Sequence, residues 1–173
     1  VDANFRTFIR QWVFEDATLQ GHSGDGAKGT AEEAPNNWGG MCRAAYAATA
    51  VYLDDSAKLS NVVKWHKGYL GDRATYSGFT YQSTNWHANS SAKVPINPKG
   101  ATIQGQNVDG VIPEDQRRTG EFTWPAPKGS YPWEALQGAL VTDVILTRKG
   151  FVTPSFQDSA LVRAYTWLTV TNS

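Results

Sequence analysis

The sequence has little of what marks several common protein classes. Cys42 is its single cysteine, which excludes an internal disulfide and argues against a cysteine-based zinc site. It has no run of about 18 apolar residues, so no segment is predicted to span a membrane. The 16 lysines and arginines balance 16 aspartates and glutamates, which argues against a general nucleic-acid binder. This balance leaves room for an anionic glycan, because a few arginines in a cleft bind carboxylates locally.

Aromatic residues are plentiful, since Trp, Tyr and Phe each occur seven times. Such rings form flat apolar platforms in sugar-binding clefts, but core packing is expected for most of them. The 173 residues predict one domain, spanning 1–173. The sequence begins at Val1 without a visible signal peptide, as expected of a processed or excerpted chain.

Apolar residues recur at helical spacing in several segments, which predicts an all-α fold of antiparallel helical hairpins. Asp54-Asp55-Ser56 is a typical N-cap and Gly150 a typical helix end. The predicted helices cover residues 3–14, 37–53, 56–70, 131–149 and 156–169.

Long segments in which apolar residues have no regular spacing separate these helices. Residues 21–30 are rich in glycine and predict a mobile loop, and residues 71–107 predict a long irregular segment. Its part from Gly71 to Gly105 is expected to lie over a cleft and to bring Trp86 and His87 to a sugar. A weak strand pattern covers Thr75–Gln82. A short helix is predicted after Pro113, within residues 108–118, and another loop over 119–130.

Three segments carry residues suited to chemistry. Residues 36–43 (NNWGGMCR) place side-chain amides at a loop-to-helix junction, although helix capping alone explains such amides equally well. Residues 109–118 (DGVIPEDQRR) combine acids and arginines behind a Gly/Pro turn, and a solvated charge cluster is the ordinary alternative. Residues 131–136 (YPWEAL) put a tyrosine at the start of a long helix, where packing would be the default role.

Together these segments resemble the alginate lyase family of helical-toroid polysaccharide lyases. Residues 109–118 match the motif D-G-x-[LI]-P-x-[ED]-x-x-R, residues 131–136 match Y-x-x-x-A-L, and Asn36-Asn37 matches an N-N pair before an inner helix. The chain also resembles actinobacterial proteins of the same family from about Asn36 to Tyr165. The resemblance implies an incomplete α/α toroid, because the family's toroids are considerably longer than this chain.

The activity that the resemblance implies is β-elimination on a uronate polymer. Tyr131 would take the C5 proton and return a proton to O4, while Arg118 and Asn37 would hold the carboxylate. A tyrosine needs a nearby cation to act as a base at neutral pH, and fixed donors must hold the charge that develops. We therefore expect the Tyr131 hydroxyl in a cleft, within hydrogen-bond reach of Arg118 directly or through water, with Asn37 on the facing wall.

One position departs from the better-known alginate lyases, which have a histidine where this chain has Trp38. His87 is the best substitute as a catalytic group. His22 lies in the glycine-rich loop, and His66 lies in a predicted helix, where a structural role is expected. The missing histidine also puts alginate itself in doubt as the substrate. The predicted substrate-binding residues are Asn36, Trp38, Arg43, Trp86 and Arg117.

Several functions remain open at this point. A lyase acting on an acidic polysaccharide, without cofactor or metal and secreted or on the cell surface, is the first hypothesis. A non-catalytic glycan-binding or surface structural protein on the same scaffold is the second. A glycoside hydrolase using Asp109, Glu114 and Asp115 is the third, although these acids lie on one segment rather than across a cleft. The apolar last helix predicts self-association, or a second chain that completes the toroid.

Overall fold

The fold is all-α, as predicted. A computed structural model describes residues 2–15 and 26–171 of the chain. The described residues form seven α-helices, a two-stranded antiparallel hairpin and two short helical turns. The α-helices are α1 (Asp2–Phe14), α2 (Gly26–Glu33), α3 (Asn37–Tyr52), α4 (Ser56–Tyr69), α5 (Pro113–Gln116), α6 (Tyr131–Arg148) and α7 (Phe156–Thr166). The hairpin joins β1 (Thr102–Ile103) to β2 (Gln106–Asn107), a 3-10 turn spans Arg117–Thr119, and a π-helical turn spans Trp167–Thr171.

Local signals in the sequence start and stop the central helices. The Asn36 side chain accepts a hydrogen bond from the Gly39 backbone N–H (3.2 Å) and caps α3. Asp55 does the same for α4, with the Lys58 N–H at 3.0 Å. Pro132 lies in the first turn of α6, where its missing N–H is not needed, and Gly150 follows α6 with φ of 78°.

Helices α3 and α6 form the centre of the molecule and pack backbone against backbone. A Cβ atom added to Gly138 would lie 2.5 Å from the Gly40 carbonyl carbon, so only glycine allows this approach. Asn37 near the start of α3 contacts Glu134 near the start of α6, and further along both helices Gly40 contacts Gly138. The two helices therefore run parallel, and their N-termini lie at the same end.

Two buried clusters surround this pair. One contains Tyr69, Trp86, Ile112, Leu136 and Trp167 among others, and it joins α4, α6, α7 and the long irregular segment that ends at Ile112. The other is centred on Tyr46, Trp65 and Leu146, from α3, α4 and α6. No helix in the described ranges has the length and hydropathy that a membrane crossing requires.

The segment between α4 and α5 is irregular apart from the hairpin, and Thr75–Gln82 is not a strand. Hydrogen bonds tie this segment to α2, where the Thr80 N–H donates to the Glu33 carbonyl (2.9 Å) and the Tyr76 hydroxyl donates to the Glu32 carbonyl (3.0 Å). Within the segment the Asn97 side chain donates to the Trp86 carbonyl (2.8 Å), and the Trp86 indole N–H donates to the Gly120 carbonyl beyond α5 (3.1 Å). The predicted loop is therefore long but pinned.

An unusual turn begins α7. Gln157, Asp158 and Ser159 all have φ near the left-handed region, at 50°, 53° and 57°. The Arg163 guanidinium donates to the carbonyls of Gln157 (3.2 Å) and Asp158 (2.9 Å), and also to Asp109 (2.6 Å). Arg163 therefore braces the turn and fixes the start of the segment that leads into α5.

Two sequence-based expectations need correction. Gly26–Thr30 belongs to α2 rather than to a loop, while residues 21–25, with His22, lie outside the described residues. Helix α1 exists as predicted, but Phe5, Phe8 and Trp12 on it are each at least 40% exposed, so most of its apolar face does not contribute to the core.

Candidate active site at the helix junctions

The starts of α3 and α6 meet the end of α5, and this junction brings together residues from all three motif segments. The Asn37 backbone N–H donates to Asp115 Oδ1 (3.0 Å), and its side-chain Nδ2 donates to Glu134 Oε2 (2.8 Å). Asp115 belongs to α5 and Glu134 to the first turn of α6. These two bonds join Asn37 to residues that lie 78 and 97 positions further along the chain.

Arg118 and Tyr131 form a second contact at the same junction. The Arg118 guanidinium carbon lies 4.1 Å from the centroid of the Tyr131 ring, which is a cation–π arrangement. The guanidinium thus stacks on the face of the ring, whereas a hydrogen bond to the phenol oxygen was expected. Arg118 is exposed and Tyr131 is half-buried, so both are within reach of a ligand.

Asn37 itself is nearly buried, with 5% of its surface exposed. Its Nδ2 is engaged by Glu134, and its Oδ1 is buried without a hydrogen-bond partner. Glu134 is exposed and lies three residues after Tyr131, on the same side of α6. The polar groups that face solvent at the junction are therefore those of Arg118, Tyr131 and Glu134.

The two acids of α5 are buried beneath this surface. Burial raises the pKa of Asp115 to about 7, and the hydrogen bond from the Asn37 N–H opposes that rise. Glu114 accepts hydrogen bonds from the Gln82 N–H (2.9 Å) and from Arg117 Nε. Arg117 also donates to Gln82 Oε1 (2.8 Å). Arg117 is thus engaged in holding the irregular segment on α5, and this contact does not support its predicted role as a substrate ligand.

The remaining residues of the first motif have different roles. Asn36 uses its side-chain oxygen to cap α3, so that oxygen is not available to a ligand. The side chain of Trp38, in contrast, lies on the surface with 71% exposure, one position after Asn37. An exposed indole at this place presents a flat apolar face to solvent.

Arg43 is not a substrate-binding residue, in contrast to the prediction. It is fully buried, and its Nη1 donates to the carbonyls of Ala31 (3.0 Å) and Ala34 (2.9 Å). Its guanidinium carbon lies 4.4 Å from the Tyr69 ring centroid. Burial lowers the pKa of Arg43 to about 10, which still leaves it charged at neutral pH. Arg43 therefore joins α2, α3 and α4 from the inside.

The predicted roles of Trp86 and His87 also need correction. Trp86 is 1% exposed and packs edge-on against Phe122, so it has no free face for stacking on a sugar. His87 is 6% exposed, and both of its ring nitrogens are buried without a partner. Burial, with a smaller effect of Lys93, lowers the pKa of His87 to about 4. His87 is therefore a neutral interior residue packed against Tyr81, and its burial does not support the predicted catalytic role.

Glu134 and Asp115 are the two site residues that sequence reasoning did not single out. For Glu134 the signal was available, because it follows Tyr131 by one helical turn. Asp115 was considered only as a member of a carboxylate pair. The bond that makes it part of the site comes from Asn37, which is far away in the sequence.

Within residues 2–15 and 26–171, no three His, Cys, Asp or Glu side chains cluster closely enough to hold a metal ion. Comparisons of the chain with protein-family models, with curated proteins and with solved structures found no match.

Proposed function

We propose that this protein is a polysaccharide lyase that cleaves a uronic-acid-containing, alginate-like polymer by β-elimination. The observation that carries the proposal is the contact between the Arg118 guanidinium and the Tyr131 ring at a solvent-facing helix junction. This contact places a fixed positive charge beside a group that can transfer a proton. Asn37 reaches the same junction through its hydrogen bonds to Asp115 and Glu134.

The reaction needs one proton-transfer group and one carboxylate clamp. The Tyr131 oxygen takes the proton from C5, the electron pair forms a double bond between C4 and C5, and the bond from C4 to O4 breaks. The proton then passes from Tyr131 to O4, so no water is consumed and the tyrosine is regenerated. Arg118 binds the carboxylate on C5, where its planar donors match the two oxygens and stabilise the enolate-like charge.

The scaffold suits this proposal. In an α/α toroid, helical hairpins are arranged so that the inner helices run parallel and their starts gather at one end. Here α3 and α6 run parallel and in contact, and each is followed by a further helix, α4 and α7. We propose that these two hairpins are an arc of such a toroid, and that Trp38 at the same end offers its ring to the polymer.

A non-catalytic glycan-binding protein is the second candidate. It is favoured by the engagement of the Asn37 amide with Glu134, which leaves this amide less free to hold a substrate carboxylate. Hydrolysis by paired carboxylates has less support. Glu114 and Asp115 are buried, and Asp109 is bound to Arg163.

The deciding experiment incubates the protein with polyuronates and follows the ultraviolet absorbance of the conjugated double bond that only β-elimination creates. The matched control is the same polymer after reduction of its carboxyl groups to alcohols, which removes the acidifying group. We expect absorbance to grow with the polyuronate only. New reducing ends without absorbance would identify a hydrolase, and retention of the intact polymer without cleavage would identify a binding protein.

A further inference from the structure

We infer that Glu134 is a specificity-determining residue that accepts hydrogen bonds from the ring hydroxyls of the bound uronate. This inference rests on the proposed function, because it concerns the same site. Its first support is that Glu134 is exposed and yet held in place.

The position of Glu134 is fixed by a chain of contacts rather than by solvent. Its Oε2 atom accepts from Asn37 Nδ2 at 2.8 Å, and the Asn37 backbone is in turn tied to Asp115 at 3.0 Å. The helices that carry Asn37 and Glu134 are locked together by the close approach of Gly40 and Gly138. A surface carboxylate on such rigid elements has little conformational freedom to lose when a ligand binds.

The neighbours of Glu134 define what it can bind. A carboxylate only accepts hydrogen bonds, so beside an anionic sugar it repels the sugar's carboxylate and attracts its hydroxyls. A guanidinium only donates, so Arg118 takes the sugar's carboxylate. With Tyr131 on the same turn of α6 as Glu134 and under Arg118, the acid group and the hydroxyls of one uronate are directed to different residues around the base.

Acylation of the hydroxyls would remove this recognition. An ester has no O–H to donate, and its bulk would press on a carboxylate that the Asn37 bond holds in place. In this arrangement Asn37 is a positioning residue, because its amide fixes Glu134 and its own surface is 5% exposed. It does not contact the sugar directly.

The test measures binding of polymannuronate fragments, either O-acetylated or chemically deacetylated, by isothermal titration calorimetry. We expect the protein to bind the deacetylated fragments at least about tenfold more tightly, the usual effect of losing a hydrogen bond to a charged group. Glu134→Gln should weaken binding of the deacetylated fragments about tenfold and remove most of the preference. The control Glu15→Gln removes the same charge from an exposed position after α1 and should leave both affinities unchanged.

Asn37→Ala should reduce the acetyl preference as Glu134→Gln does, and the double variant should reduce it no further, because the two residues act as one unit. Thermal unfolding of each variant checks that it folds. The inference would be overturned if the protein and Glu134→Gln showed the same preference for deacetylated over O-acetylated fragments, or if Glu134→Gln bound both kinds more tightly. It would also be overturned if the unmodified protein bound neither kind. Selective binding without a rise in ultraviolet absorbance would overturn the lyase proposal and leave the role of Glu134 in place. Cleavage without selectivity would do the reverse.

Discussion

The phenol oxygen and the ring of Tyr131 have separate roles at the junction. The ring supports the Arg118 guanidinium at 4.1 Å, while the oxygen carries the proton in the proposed reaction. Tyr131→Phe keeps the first role and removes the second. We expect turnover of a polyuronate to fall by at least about a hundredfold, the usual contribution of general acid–base catalysis, with little change in stability.

The initial rate of ultraviolet absorbance change measures this effect. Tyr165→Phe is the matched control, since Tyr165 is exposed on α7 and contacts Trp133 only through its ring. A Tyr131→Phe variant that folds and keeps most of its activity would show that another group is the base.

Asp115 links the chemistry of a single residue to the stability of the fold. Burial raises its pKa to about 7 from an ordinary value of 3.8, so the folded protein holds a proton that the unfolded chain releases. Protonated Asp115 therefore contributes to the free energy of unfolding in full below about pH 4, and this contribution is lost as the pH rises towards about 7. Asp115→Asn keeps an oxygen for the Asn37 N–H and carries no charge. We expect it to match the parent protein near pH 4 and to be more stable by about 2–4 kcal/mol near pH 8.

Urea unfolding at about pH 4, about pH 5 and about pH 8 tests this prediction. Asp72 is the control, because its pKa is lowered, chiefly by a hydrogen bond from Thr75, and it is fully ionised over most of the same range. Asp72→Asn should therefore change the free energy of unfolding equally at about pH 5 and about pH 8. A stability difference for Asp115→Asn that does not grow with pH would contradict the assigned protonation of Asp115.

At the site, the sequence was informative where a residue's role depends on its neighbours in the chain. Tyr131 at a helix start and Arg118 near the end of a Gly/Pro-led motif were predicted as a pair, and the structure places them in contact. Arg43, Trp86 and His87 were misjudged because their burial depends on segments remote in sequence. Polar side chains in the motif positions of a loop or a helix look alike in the sequence, whether they face solvent or the interior.

At the level of elements, the contact between α3 and α6 depends on two glycines. A methyl group at Gly138 would lie 2.5 Å from the Gly40 carbonyl carbon and 2.7 Å from the Met41 nitrogen, both backbone atoms that cannot turn aside. We expect Gly138→Ala to destabilise the protein by about 1–3 kcal/mol despite alanine's better helix propensity. It should also weaken substrate binding, because separating the helices disturbs the Asn37–Glu134 bond.

Chemical denaturation and calorimetric binding measure these two effects. Gln137→Ala, at the neighbouring exposed position of α6, should change stability by no more than about 0.5 kcal/mol. If Gly138→Ala were as stable as that control, the backbone contact between the helices would not be as close as described.

The helices themselves could be predicted well, because amphipathic period and capping residues are local. The helices predicted over residues 37–53, 56–70 and 131–149 correspond to the observed helices Asn37–Tyr52, Ser56–Tyr69 and Tyr131–Arg148. The left-handed turn at Gln157–Ser159 could not be predicted, because none of its residues is glycine and the Arg163 side chain braces it from the following turn. Helix α2 was missed because glycines at residues 26 and 29 favour a loop, while its packing on α3 comes from the tertiary fold.

At the scale of the whole molecule, one face of the α6–α7 hairpin leaves a large apolar surface in contact with solvent. Leu140 and Val144 on α6 are 41% and 46% exposed, and Val162 and Tyr165 on α7 are 55% and 53% exposed. A groove of about 340 Å³ runs between these helices, lined by Leu140, Phe156, Leu161 and Val162 among others. Contiguous apolar surfaces of this kind are characteristic of interaction sites.

We therefore predict that the 173-residue chain self-associates through this face, or pairs there with a second chain that completes the proposed toroid. Sedimentation velocity over a hundredfold range of concentration should give a sedimentation coefficient that rises with concentration. Val162→Asp places a charge in the middle of the face and should shift the protein towards the monomer, because burying an unpaired carboxylate is costly. Phe8→Asp introduces the same charge at an exposed apolar position on α1, outside this face, and should leave the association unchanged. A monomer at every concentration would contradict self-association through α6 and α7, and equal effects of the two variants would place the interface elsewhere.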